Sequence, residues 1–327
     1  MSDFKTIDGL MRHLRENGVD IRKSKQKRQL INTGYYHGYK GYRFFKKSSI
    51  RLPISSYQEI NAIIQYDAKL KSLLYGKVMF LETALKNVVL ISIMSEIKSS
   101  KISELFRIGV SSYKNSHTSI QPNQKKKLQE NKLNLQVMIQ NSIYQEYKKG
   151  NPKITHFYDN SKHNDVPLWA LFEILTMGNF GYLVSCLTVS IREKISKELG
   201  LNLSCDTNRT LLQTYIYLLK ELRNAIAHNE VVYDTRFKNY DAPKSAKTCL
   251  EQEFTLKNIH FNSIVDYIIL ITYILKLLKI HKTELKGFIR DFENISKEYQ
   301  LSVDDAVCAI TKQSELNAKL EILKNSL

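Results

Sequence analysis

An all-α fold is what this sequence predicts, on three observations. Helix breakers are scarce, with 12 Gly and 5 Pro in 327 residues, and a β-rich chain of this length needs more of both for its turns. Apolar residues recur on the helical period, as in Tyr215, Leu219, Leu222 and Ile226. Start signals, a Ser, Asp or Pro ahead of such a stripe, stand where several stripes begin. Hydrophobic residues make up 43% of the chain, enough to fill a core. The expected organisation is a basic, aromatic-rich N-terminal segment over 1–58, a helical domain over 59–286 with a polar insertion at about 98–165, and a C-terminal helical segment over 287–327.

Taken in order, residues 1–20 read as a short helix with Leu10 and Leu14 inward and Asp3 or Thr6 near its start. From Ile21 to Gln58 there is no acidic residue. Ten basic residues fall there: Arg22, Lys23, Lys25, Lys27, Arg28, Lys40, Arg43, Lys46, Lys47 and Arg51. Tyr35, Tyr36, Tyr39, Tyr42, Phe44 and Phe45 are interleaved with them. One short hairpin or strand is allowed near Tyr35–Phe45 or Val231–Tyr233. Ser56 and Glu59 form a capping box, which opens a helix to about Lys71. A second helix is expected from Tyr75 to about Ile97, with Val78, Leu81, Leu85, Val88 and Val89 inward and Glu82–Lys86 as a solvated pair.

Residues 98–165 are rich in Lys, Asn and Ser, with a helix expected around 125–149. This is the place for an insertion or mobile loop. Pro167 opens a helix carrying Trp169, the single Trp, and Gly178 and Gly181 are expected to break it before another runs to Leu199. Asp206 or Asn208 caps the helix that follows. The stretch from Phe261 to about Thr283 is the most apolar helix, expected at the centre of the bundle against the helix holding Leu219. Ser302 with Asp305 opens a last helix to about Asn325.

Composition also excludes. Cys186, Cys205, Cys249 and Cys308 are scattered without a C-x-x-C pair, which fits a reducing cytoplasm and no zinc knuckle. His156, Asp159 and His163 match no ligand spacing, so neither metal nor cofactor is expected. The start M-S-D-F-K-T-I-D is not a signal peptide. The most apolar run, Tyr267–Leu275, is too short to span a bilayer, and no membrane partner is expected. The formal net charge of +17 points to a polyanionic partner. The bland alternative is a basic surface that only keeps the protein soluble.

One stretch carries chemistry. Glu221–Glu230 reads E-L-R-N-A-I-A-H-N-E, holding Arg223, Asn224 and His228 as R-N-x-x-x-H. Arg followed at a distance by His is worthless alone, but Asn directly after the Arg lowers the chance expectation to roughly 0.02 per chain. An imidazole moves protons at neutral pH, a guanidinium holds a phosphate with paired hydrogen bonds, and an amide orients either. These groups suffice to cleave RNA without metal, by in-line attack of the ribose 2′-oxygen. The plainer alternative makes Arg223 a helix C-terminal cation and His228 an ordinary surface residue. On a continuing helix His228 lies about 140° around from Arg223. The two converge if the helix ends near Ala227, or if a second copy supplies one of them.

R-N-x-x-x-H at a helix end resembles the motif of HEPN-domain ribonucleases. G-Y-Y-H-G-Y-K-G-Y-R-F-F at Gly34–Phe45, K-V-M-F-L-E-T-A-L-K at Lys77–Lys86 and P-L-W-A-L-F-E-I-L-T-M-G-N-F at Pro167–Phe180 occur in the same order as in the Abi family of abortive-infection proteins, the AbiD/AbiF-like group. The spacing after the aromatic pair departs from the commoner form. The resemblance spans roughly 30–230. It implies a HEPN-like helical bundle with a basic N-terminal extension and a C-terminal helix, often a homodimer, acting as a metal-independent endoribonuclease in antiphage defence. Arg223 would hold the scissile phosphate, Asn224 position it and His228 act as general acid or base. Glu173 is a candidate to orient Arg223 or His228 from a neighbouring helix. RNA contacts are expected from Arg22, Lys23, Lys25, Lys27, Arg28, Tyr39, Lys40, Arg43, Lys46 and Lys47, through phosphate neutralisation and base stacking. Tyr35, Tyr36 and Phe45 are expected in the core. The competing reading is a non-catalytic protein holding a structured non-coding RNA; a DNA-binding regulator is weaker, since no helix-turn-helix signature is present.

Overall fold

The computed structural model describes residues 5–46, 50–112, 121–159, 165–311 and 316–327. Its described elements are helical apart from one two-stranded hairpin. The chain divides into two compact units. The first is Met1–Val78, Glu221–Ala242 and Leu250–Leu327, and the second is Met79–Lys220 with Pro243–Cys249.

In the first unit, α1 (Ile7–Glu16) starts as expected, with the Gly9 amide donating to Thr6 Oγ1. It buries Met11 and Leu14 in a cluster with Val19, Ile21, Leu30, Tyr39, Tyr57 and Ile60. α2 (Ser24–Thr33) follows, then a π-helical segment at Gly34–Lys40. The allowed hairpin is β1 (Phe44–Phe45) paired antiparallel with β2 (Ile50–Arg51). The capping box at Ser56 is present: Glu59 Oε2 accepts from the Ser55 and Ser56 amides, and Ser56 Oγ accepts from the Glu59 amide at 3.4 Å.

From that cap runs α3 (Tyr57–Ile97), 41 residues without a break, where two helices were expected. Nothing between Lys71 and Tyr75 stops a helix, and a Cβ at Gly76 would meet nothing within 4 Å. The glycine costs the helix only about 1 kcal/mol, which packing on both sides of it outweighs. By length and composition α3 could cross a membrane. Here Ile63, Leu70, Leu74, Val78, Leu81, Leu85, Val89 and Ile93 form a stripe buried inside the protein.

The second unit takes the later half of α3. Glu82 and Lys86, expected to be solvated, are largely buried: their charges meet at 3.0 Å, and Lys86 also donates to the Leu175 carbonyl at 2.6 Å. Buried ions need such partners. α4 (Ile102–Glu104) leads into a second π segment at Leu105–Gly109. The polar stretch then supplies α5 (Pro122–Lys148), which buries Leu135, Ile139 and Ile143, and α6 (Pro152–Asp159). α7 (Leu168–Ile174) begins after Pro167 as the N-cap.

The break after α7 falls at Leu175–Thr176, both extended, and Thr176 caps α8 (Met177–Cys186). Gly178 and Gly181 therefore lie inside α8 and do not break it. At Gly181 the reason is close approach, since a Cβ would sit 3.1 Å from the Tyr217 ring. α9 (Val189–Leu199) is capped by Thr188, and α10 is Leu211–Ala227.

α11 (Lys244–Phe254) was not expected. α12 (Ile264–Leu277) buries every residue from Ile264 to Leu275 and is the core helix of the first unit. It is capped at Ser263 and Leu278, shorter at both ends than the helix expected from Phe261 to about Thr283. Asp266 in its first turn accepts from the Phe261 amide at 2.9 Å and pairs with Lys319 at 2.9 Å. α13 (Lys282–Gln300), α14 (Asp305–Thr311) and α15 (Leu316–Asn325) complete the unit; α13 was not expected as a separate helix, while α14 and α15 lie within the stretch expected to be helical after Ser302.

Candidate functional site

α10 presents the R-N-x-x-x-H motif at its C-terminal end. Asp206 anchors its start: Oδ1 accepts from the Thr210 amide at 2.7 Å and the Leu211 amide at 2.9 Å. Tyr215, Leu219 and Leu222 are buried completely, so the stripe fixes which face turns outward. Arg223 and Asn224 are half-buried, while Ala227, His228, Asn229 and Glu230 are exposed. Arg223 Nη1 donates to Asn224 Oδ1 at 3.3 Å, so motif neighbours hold each other.

The helix ends at Ala227, the place where a stop was expected to let Arg223 and His228 converge. Asn229 stops it in the left-handed region, at φ 54°, which Asn tolerates better than most residues. The Glu230 amide returns to the Ala225 carbonyl at 2.8 Å and the Asn229 amide to Ile226 at 3.1 Å. His228 is the last residue on the helical path, its amide still bonded to the Asn224 carbonyl at 2.9 Å. Its angular offset from Arg223 is therefore retained.

Behind this end lies a polar network that the sequence did not disclose. Asn229 Oδ1 accepts from Lys71 Nζ at 2.8 Å, and Asn229 Nδ2 lies 3.1 Å from His37 Nε2. Lys71 also pairs with Asp67 at 2.8 Å. Asp67 is wholly buried, and it accepts from Tyr42 Oη at 2.7 Å and from the Val232 and Tyr233 amides at 2.8 Å each. Burial first, then the Asp67 charge, pushes the Tyr42 phenol far up. A carboxylate in this setting must be fully partnered, and here four donors surround it. Farther along, Arg236 pairs with buried Asp234 and donates to the Gly41 and Phe44 carbonyls at 2.8 and 2.7 Å. The Lys46 amide donates to Asp234 at 2.7 Å. The segment after the motif is thus pinned both to α3 and to the aromatic N-terminal stretch. An Asn directly after the motif His was the one available signal for the left-handed stop.

Of the expected RNA contacts, Lys23, Lys25, Arg28, Lys40 and Lys46 are exposed. Arg22 is exposed but paired with Asp20 at 2.7 Å, and Lys27 is paired with Asp8 at 2.6 Å. Acids from the chain before the acid-free stretch thus reach into it. Arg43 lies 5.1 Å over the Tyr39 ring. Lys47 lies outside the described residues. Tyr39 must be corrected: it is 1% exposed and stacked on Tyr35 at 5.5 Å, so it offers no face to a base. Burial raises its phenol to about 12. Tyr36 is corrected the other way. Expected in the core, it is 76% exposed, with Lys40 5.2 Å over its ring.

Glu173 is exposed, and its carboxylate pairs with Lys153 at 2.5 Å. That pairing is the ordinary role of a surface carboxylate. Among the described residues no group of three or more His, Cys, Asp or Glu could hold a metal ion. His163 is outside the described residues.

A helical fold with this motif, and with Gly34–Phe45 and the Asp67 helix knitted to the chain just after it, defines the class. A family model described as Abi-like protein matches residues 28–234. The chain belongs to this family, the abortive-infection proteins in the broad sense. No curated protein and no solved structure matches it. The matched span ends at Asp234, so it takes in the whole pinned segment from Gly34 to Tyr42 and from Arg223 to Tyr233.

Proposed function

We propose that the chain is a metal-independent endoribonuclease acting in abortive infection, with a HEPN-type site at the end of α10. The observation that carries this reading is the exposed His228 one residue past a helix end that also presents Arg223 and Asn224. Arg223 holds the scissile phosphate. Asn224, bonded to it at 3.3 Å, limits its rotamers. His228 moves a proton, and the guanidinium offsets charge on the phosphorane. Because His228 stays on the helical path, about 140° from Arg223, pairing of the two groups is best met by a second copy of the chain. A homodimer with composite sites follows.

RNA is gathered by the exposed cations of α2 and the residues after it. The same cations favour the alternative, a protein that holds a structured RNA and cuts nothing. Purified protein incubated with RNA in the presence of a chelator separates the two. Cleavage lost on His228→Ala supports the nuclease; tight binding with no cleavage by the unaltered protein moves the reading to RNA holding. Mixing His228→Ala with Arg223→Ala chains restores activity only if each site draws on two chains.

A further inference from the structure

Cleavage of RNA by this route needs a base and an acid, and α10 supplies one imidazole. A second stands beside it. His37 lies in the middle of the π-helical segment Gly34–Lys40, is exposed, and touches the residue that follows His228. Seven residues in π-helical form are uncommon, and such turns concentrate at functional sites.

The hydrogen bonds fix the state in which His37 is held. Lys71 Nζ can only donate, so the Asn229 atom facing it at 2.8 Å is the carbonyl oxygen. The other end of the same amide, Nδ2, must then face His37, and it can only donate. His37 Nε2 is therefore an acceptor carrying no proton. Lys71 cannot turn away cheaply, because it is mostly buried and answers the charge of Asp67. Protonated His37 could keep its place only by turning the Asn229 amide, which would set NH₂ against the Lys71 ammonium. The chain Asp67–Lys71–Asn229–His37 thus presents an unprotonated imidazole nitrogen at the end of α10. Tyr42 also lies against this ring, edge-on at 6.4 Å, itself bonded to Asp67.

We infer that His37 is a further catalytic residue of the cleavage site, the base that complements His228 as acid; this rests on the nuclease reading above. The ribose 2′-hydroxyl replaces the Asn229 amide as donor to Nε2. His37 takes its proton as the 2′-oxygen bonds to phosphorus. The phosphorus–5′-oxygen bond breaks, and His228 gives a proton to the departing oxygen. The products are a 2′,3′-cyclic phosphate and a 5′-hydroxyl. Proton exchange with water returns both rings to their starting states, and no metal or redox partner enters the balance.

His37→Gln tests this directly. Gln can still accept from Asn229 but cannot carry a proton. The substrate is whichever fluorescent oligoribonucleotide the unaltered protein cuts. The expected result is a loss of roughly 10²–10⁴-fold in single-turnover cleavage, with unchanged melting temperature and RNA affinity within about twofold. His37→Ala should regain part of the lost rate in added imidazole, which a folding defect would not do. Cleavage within threefold of the unaltered protein in His37→Gln, while His228→Ala is inactive, overturns the role of His37 and leaves the nuclease reading standing. Loss of rate with no imidazole rescue in His37→Ala also overturns it, in favour of a structural contact. Absence of cleavage by the unaltered protein overturns both.

Discussion

Two surfaces of the first unit differ in kind. On α2 and its N-cap the cations Lys23, Lys25 and Arg28 stand in solvent, and no described ion pair fixes where each charge points. At the end of α10 the opposite holds. Asn229 is gripped by Lys71, Lys71 by Asp67, and Asp67 by two backbone amides and a phenol. The first surface acts through summed charge, which falls off smoothly as members are removed. The second acts through position, so a single loss should be felt in full. On the proposed function, a polyanion is collected by one and cut by the other.

The largest expected effect breaks the second surface. Arg223→Ala should lower cleavage by roughly 10²–10³-fold, as loss of a transition-state charge partner does, and leave RNA affinity nearly intact. Equal losses in binding and cleavage would merge the two surfaces into one. Next, Asp67→Ala should cost about 3–5 kcal/mol in urea unfolding, since it strands a buried Lys71, a phenol and two amides. A change under about 1 kcal/mol would mean the anchor is ornamental.

An alkaline effect follows from the same stretch. Burial raises the phenols of Tyr39 and Tyr66 from 10.0 to about 12. Both are neutral in the folded state up to that range, while the unfolded chain ionises them near pH 10. Their contribution is complete below pH 10 and is lost as pH rises through 12. Absorbance at the tyrosinate band should show late-titrating phenols, with one fewer in Tyr39→Phe; loss of a phenol that titrates near 10 instead would place Tyr39 in solvent.

The smaller effects fall on α2. Replacing Lys23, Lys25, Lys27 and Arg28 together with Gln should weaken RNA binding and flatten the salt dependence by up to about 3 log units per log unit of salt. Lys27→Gln alone should change least, because Asp8 already neutralises it. If Lys27 alone matched the fourfold variant, position rather than charge would govern this face.

Helices with stripes and caps were legible in the sequence. Thr6, Ser56–Glu59 and Asp206 each act where a local rule puts them, because a cap is settled within four or five residues. The uninterrupted α3 was not legible, since whether Gly76 bends a helix depends on packing elsewhere. Gly181 misled for the same reason: a glycine that admits Tyr217 looks like one that ends a helix. The motif residues stood out by type and spacing. His37 and Lys71 did not, because they meet Asn229 from 192 and 158 residues away, and no local pattern encodes that meeting. Tyr36 and Tyr39 show the limit within one turn of chain, where identical residue types part into solvent and core.

The clamp of Arg236 on the Gly41 and Phe44 carbonyls also has a bearing on synthesis. Translation at about 5–20 residues per second reaches Arg236 on the order of 10–50 s after it starts. Until then the N-terminal aromatic segment has neither Arg236 nor Asp234 to close on, and Asp67 lacks the Val232 and Tyr233 amides. The motif end of α10 is therefore assembled late, after most of the chain has been made. If the proposed nuclease reading holds, a protein that damages RNA is kept harmless, while it is being made, by the sequence distance between the two halves of its own scaffold.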